Sequence, residues 1–343
     1  MTPRSPPRRI LVIQLRRFGD VVLTTALFED LKRAYPDAWL DVLVGAPAAP
    51  MLEHHPLIDE RIIYDSGHPT RTWRAVRSRA FDWVIDVQSS PRTAPLTLFS
   101  GARVRVGWDV KGWGWVYTHR LARDGRPHEY VVRQRQRLLE LAGVPAPRGR
   151  ARLYLTPAER ARGEDDLRVA GVPSGALRVG ILLSTAKRAN AWHVSGFAEV
   201  ANGLVALGVT PVVFATLGDD GLVRELQRES PRSMIVPPME IRRFLGALAA
   251  CQLFVSGDTG PAHMAAALDV PTVTIFGATS PTLWNAGLPT TAVVRDTTVP
   301  CLECQHDDCP IGHDCMHGVT SAAVLARIRE CLALPTVVTL RRR

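Results

Sequence analysis

Short, wholly apolar runs alternate along the chain with longer stretches in which apolar residues return every three or four positions. The first run, ILVIQL at 10–15, suits a strand buried on both faces, and after RRFGD a helical pattern continues through Leu31. Further strands are expected at 39–44, 61–64 and 83–87, while 128–142 has helical composition. Residues rich in Pro, Gly and Arg interrupt the alternation at 144–152, GVPSG interrupts it again at 171–175, and an apolar run follows at 177–183. A helix over 196–207 carries Phe197, Val200, Leu204 and Leu207 at helical spacing, and strands follow at 211–214, 234–236, 253–256 and 272–276. This α/β alternation predicts two doubly wound parallel sheets with a boundary near Gly171. Ligands of such sheets bind beyond the carboxyl ends of the strands, so a site in the cleft between two facing halves is expected.

Length agrees with two domains, since 343 residues exceed one ordinary core. A hydrophobic fraction of 46% and a charged fraction of 22% exclude wholesale disorder and fibres. The purest apolar runs fall far short of the roughly 20 residues that cross a bilayer, and no signal-length apolar stretch follows Arg8-Arg9, so the chain is expected to stay in the cytoplasm. Its 42 basic residues, of which only Lys32, Lys111 and Lys187 are lysines, outweigh 33 acidic ones and leave a net charge of +9. Such a balance favours anionic partners without choosing among nucleic acid, anionic lipid and phosphorylated small molecules. No helix-turn-helix spacing, aromatic RNA-binding motif or concentrated basic stripe accompanies it, and nucleic acid is not expected.

Three loops carry candidate chemistry. Gly19 allows a tight turn after the first strand, and Asp20 falls where the next helix starts, as a candidate general base or as an ordinary helix cap. In VSGDTGPAHM a buried strand at 253–256 runs into a helix at 261–268. Thr259, Gly260 and the helix N-terminus there form an anion site that fits a diphosphate, with Asp258 and His263 beside it. The STAKRAN loop after the first strand of the second half holds hydroxyls and the cations Lys187 and Arg188, as a phosphate-neutralising set or a solvated basic loop. Asp219 and Asp220 follow the strand at 211–214 and suit a ribose or a helix cap.

These residues, in this order, resemble the heptosyltransferase family of bacterial glycosyltransferases, family 9. The likeness runs through 10–27, 86–92, 192–197 and 258–276 with the following GATSP. The resemblance implies a GT-B fold of two Rossmann-like domains: an acceptor-binding domain over 1–170 and a nucleotide-sugar domain over 171–319. It also implies a segment over 320–343 whose helix at 321–332 packs back on the first domain, ahead of a basic tail. It implies inverting, metal-independent transfer of a sugar, ADP-heptose being the expected donor, onto a lipopolysaccharide core or related acceptor at the cytoplasmic face of the inner membrane. Asp20 matches the catalytic base. Thr185, Asp220, Asp258, Thr259, Gly260 and His263 match the donor site, and Arg17 and Arg92 are the expected acceptor contacts. Asn190 departs from the family, many of whose members carry lysine at that position, so either Lys187 or Arg188 supplies the donor-site cation from within the same loop or the donor specificity differs. A nucleotide-sugar epimerase or a non-catalytic nucleotide-sugar binder on the same fold is the competing reading.

Cys301, Cys304, Cys309 and Cys315 crowd one short stretch together with His306, His313 and His317. In a reducing compartment they read as a structural zinc site or as reduced or redox-active thiols.

Overall fold

Apolar runs of four to six residues can be buried on both faces only inside a parallel sheet, and the computed structural model, which describes residues 6–123 and 129–333, builds both halves around such sheets. The chain divides into two units, residues 1–154 and 155–343. In the first unit, β1 (Arg9–Ile13), α1 (Phe18–Thr24), α2 (Ala26–Ala34), β2 (Trp39–Gly45), β3 (Glu60–Tyr64) and α3 (Pro69–Ser78) precede β4 (Trp83–Asp86). Then come α4 (Thr93–Phe99), β5 (Val104–Asp109), β6 (His119–Ala122) and α5 (Val131–Leu141). The strand order is β3-β2-β1-β4-β5-β6, parallel throughout, and Ile10 to Ile13 of β1 are at most 1% exposed.

The second unit holds α6 (Pro157–Val169), β7 (Arg178–Leu182), α7 (Val194–Ala206), β8 (Thr210–Phe214), α8 (Asp220–Glu229), β9 (Met234–Val236) and α9 (Ile241–Ala249). It continues with β10 (Leu253–Gly257), α10 (Gly260–Ala267), β11 (Thr272–Ile275), α11 (Pro281–Trp284), β12 (Thr291–Val294), α12 (Asp314–His317) and α13 (Ser321–Leu332). Its sheet, β12-β11-β10-β7-β8-β9, repeats the order of the first. Each sheet therefore reverses direction beside its first strand, between β1 and β4 and between β7 and β10. Loops diverge at that point and leave room for a ligand.

Two expected boundaries are corrected. The division falls at 154/155 rather than 170/171 because α6 packs on α9 at a glycine crossing, where a Cβ on Gly163 would meet the Gly246 carbonyl carbon at 2.1 Å. Arg242 also pairs with Glu159 at 2.6 Å. Among the residues of α6 only Gly163 and Leu167 are buried, so no apolar stripe announces where this helix belongs. The helix α13 puts Val324, Ile328, Cys331 and Leu332 into the core of the second unit, against α7, β11 and β12, so no boundary falls at 319/320. His128, expected to open a helix, and the basic tail at 334–343 lie outside the described residues; the helix itself begins at Val131.

Candidate functional site

In the first unit the sheet reversal is lined by the loops after β1 and β4. Asp20 stands third in α1, while Arg17 occupies the capping position and makes no side-chain cap. Asp20 is therefore not the helix cap. Its carboxylate accepts from the guanidinium of Arg135 in α5, which also donates to the Asp20 carbonyl at 2.8 Å and to Thr24 Oγ1 at 3.0 Å. Arg135 is only 7% exposed against 29% for Asp20, so the buried arginine holds the carboxylate in place while leaving it reachable. Arg17 and Arg92 are both exposed, on neighbouring loops of this reversal.

Beneath the loops lies Asp86, the last residue of β4, fully buried and pushed up to about 6 by desolvation. Hydrogen bonds from the Ser89 amide at 2.8 Å and the Tyr117 hydroxyl at 2.8 Å offset part of that penalty. Ser89, held left-handed at φ 46°, shapes the loop in which Gln88 accepts from the amides of Leu15 at 3.0 Å and Arg16 at 3.3 Å. Arg123 lies over the Trp108 ring at 5.4 Å. The residue as a whole is exposed, yet desolvation of its charged end and the like charge of Arg135 lower its pKa, against the pull of Asp20 and Asp86. Arg135, Arg123, Asp86 and Gln88 were not picked out as site residues from the sequence. Arg135 sits 115 residues from Asp20, beyond the reach of any local motif.

The second unit's reversal brings together the loops after β7 and β10. Thr259 precedes α10 with extended backbone (φ −155°) and its side chain does not cap the helix, while Gly260 and Pro261 form the first turn and His263 lies 6.1 Å from the Trp284 ring. Desolvation raises the pKa of Asp258, opposed by the charges of His263 and Lys187 and by a hydrogen bond from Thr279. Thr185 donates to the Lys187 carbonyl at 2.6 Å, and Lys187 pairs with Asp307 at 2.8 Å. Arg188 is 92% exposed and 3.9 Å from Asp308. Of the two aspartates after β8, Asp219 is buried and accepts from Ser184 at 3.0 Å and Thr216 at 2.7 Å, whereas Asp220 is exposed at the start of α8. Asn190 is 3% exposed and joins the loops, donating to the Asp258 carbonyl at 3.4 Å and accepting from Thr279 at 3.4 Å. At this position the cation common in the family is replaced by a buried amide, and the charges that act on Asp258 come from His263 first and from Lys187 after it.

Two parallel sheets of this order, each with polar loops at its reversal, define the GT-B class. A model of glycosyltransferase family 9 (heptosyltransferase) matches residues 70–314, and the chain belongs to that family. It is 26% identical to lipopolysaccharide heptosyltransferase 2 of Salmonella typhimurium over 80% of this chain and 84% of that protein. Its fold is similar to the E. coli ADP-heptose lps heptosyltransferase II, with a TM-score of 0.79, 22% identity, and 94% and 98% of the two chains covered. It is also similar to the E. coli heptosyltransferase WaaC solved with ADP-2-deoxy-2-fluoro heptose, with a TM-score of 0.69, 19% identity, and 94% and 99% covered. The protein is a glycosyltransferase. No helix among the described residues is long and apolar enough to cross a membrane.

Proposed function

We propose that this chain transfers heptose from ADP-heptose to a lipopolysaccharide-core acceptor with inversion at the anomeric carbon. Family membership supports the donor and acceptor class, and the observation that carries the chemistry is the Asp20 carboxylate, held by buried Arg135 instead of capping its helix. Asp20 takes the proton of the acceptor hydroxyl as that oxygen attacks the anomeric carbon, and the bond to ADP breaks with its electron pair leaving on the diphosphate. Thr259, the amides opening α10, His263, Thr185 and Lys187 receive that charge, so no metal is needed at the reacting carbon. Asp258 orders this turn, Asp220 is the residue offered to the ribose, and Arg188 adds positive charge at the rim. Arg17 and Arg92 meet the anionic acceptor, whose lipid brings the protein to the cytoplasmic face of the inner membrane.

The test is a screen of ADP-, UDP-, GDP- and dTDP-sugars by thermal shift, followed by product analysis. ADP-heptose is expected to bind and to be consumed only when acceptor is present. Consumption without acceptor, as by an epimerase, overturns the assignment, and so does indifference to every ADP-sugar.

A further inference from the structure

The cysteine-rich loop stands apart from the reaction described above and yet is stitched to its donor loop. Cys301, Cys304, Cys309 and Cys315, with His306 and His313, line one cavity of about 100 Å³. All four are free thiols. The other two cysteines, Cys251 and Cys331, lie buried elsewhere in the second unit, and burial pushes the Cys251 thiol up to about 12, as befits an inert core residue. From 301 to 313 the chain forms neither strand nor helix, is largely exposed, and holds Glu303, Gln305 and His313 left-handed although none is glycine. So little buried apolar surface holds such a loop weakly, and a cross-link through the four thiols would add to the polar contacts described next.

The loop is fastened on two sides. Glu303 and Gln305 donate from their amides to the carbonyls of Gly277 at 3.0 Å and Ala278 at 2.8 Å, just after β11. Across from them, the Ala189 amide donates to the Asp307 carbonyl at 2.9 Å, His313 Nε2 lies 2.8 Å from the Ala189 carbonyl, and Asp307 pairs with Lys187 at 2.8 Å. The segment at 187–189 is therefore held in place by the cysteine loop.

We propose that Cys301, Cys304, Cys309 and Cys315 bind one thiophilic divalent cation, zinc or ferrous iron, and that this ion fixes the donor loop through Asp307 and His313. Four thiolates close a tetrahedral shell and leave no position open for substrate, so the ion is structural. Among the described residues no three of these ligand atoms lie within 4.8 Å of one another, so one ion shared by the four thiols requires the sulfurs to draw inward. The metal half of the proposal stands on the thiols alone; the coupling half rests on the donor site proposed above.

Full-length protein purified without chelator is analysed for zinc and iron, then stripped and reconstituted anaerobically with Zn²⁺, Fe²⁺ or Co²⁺. One equivalent of metal per chain is expected, with thiolate charge-transfer bands in the cobalt form, and both are lost in Cys304→Ser and in Cys309→Ser. Stripping should weaken ADP binding in calorimetry by about tenfold, the cost of one misplaced charge-assisted hydrogen bond, and re-added metal should restore it. Failure of every ion to reach one equivalent, or two disulfides found by mass spectrometry in freshly purified protein, overturns the metal site. Unchanged ADP affinity after stripping overturns the coupling. ADP that fails to bind the fully loaded wild type sinks the donor reading and leaves the metal result standing.

Discussion

The two sheet reversals have the same strand order and are sewn together in the same manner, but they present opposite sets of side chains. Between β1 and β4 the side chain of Gln88 joins the two loops, and between β7 and β10 that of Asn190 does so. Each reversal also has a carboxylate raised by burial at or just beyond its second strand, Asp86 in one unit and Asp258 in the other. Beyond this shared frame, the first unit presents an anchored carboxylate, Asp20 gripped by Arg135, and the second presents a helix N-terminus with hydroxyl, imidazole and ammonium groups. A doubly wound sheet supplies the place, and a handful of loop residues decide which charged and polar groups stand there.

That contrast breaks most readily at Asp20. Asp20→Asn keeps the size of the side chain and an oxygen for Arg135 but removes proton acceptance. Turnover should fall about 10²–10⁴-fold with ADP affinity unchanged, as read by transfer assays beside calorimetry. Near-wild-type turnover would return Asp20 to a structural part.

Asp86 sharpens the comparison through pH. Burial raises its pKa to about 6, so the folded chain holds this proton more tightly than the unfolded one. The stabilisation is complete below the ordinary carboxylate range and is lost as pH rises toward 6. Asp86→Asn stays neutral and keeps an acceptor for Ser89. Relative to wild type it should gain on the order of 2–3 kcal/mol between about pH 4 and 6.5 in denaturant titrations. A constant difference across that window would show that Asp86 is not desolvated as the fold implies.

The smallest expected effect lies in the second unit. Thr259→Val or His263→Ala should each weaken ADP binding by about 1–3 kcal/mol, since each removes one polar group assigned to phosphate in the proposed donor site. Calorimetry on the folded variants checks this, and unchanged affinity would take the residue out of the anion site.

Much of this was legible because strands and their following turns are local. The run at 10–13 forms β1, the GDTGP turn opens α10, and Pro261 falls in the first helical turn. By contrast β5, β6 and β12 passed unnoticed, being edge or near-edge strands with weaker apolar patterns. The choice between Asp219 and Asp220 was open in the sequence because both read as caps. Only packing shows that Asp219 is locked to Ser184 from the neighbouring strand's loop.

The order of apolar runs, glycines and helix starts thus determined by itself the class of fold and where the loops between strand and helix fall, because those signals arise from residues a few positions apart. Tertiary structure alone decided what each polar side chain does. It brought Arg135 to Asp20 across 115 residues, spent the apolar face of α13 inside the second unit, and buried Asn190 between two loops. A charge or an amide takes its role from the groups that replace its water, and those come from distant parts of the chain.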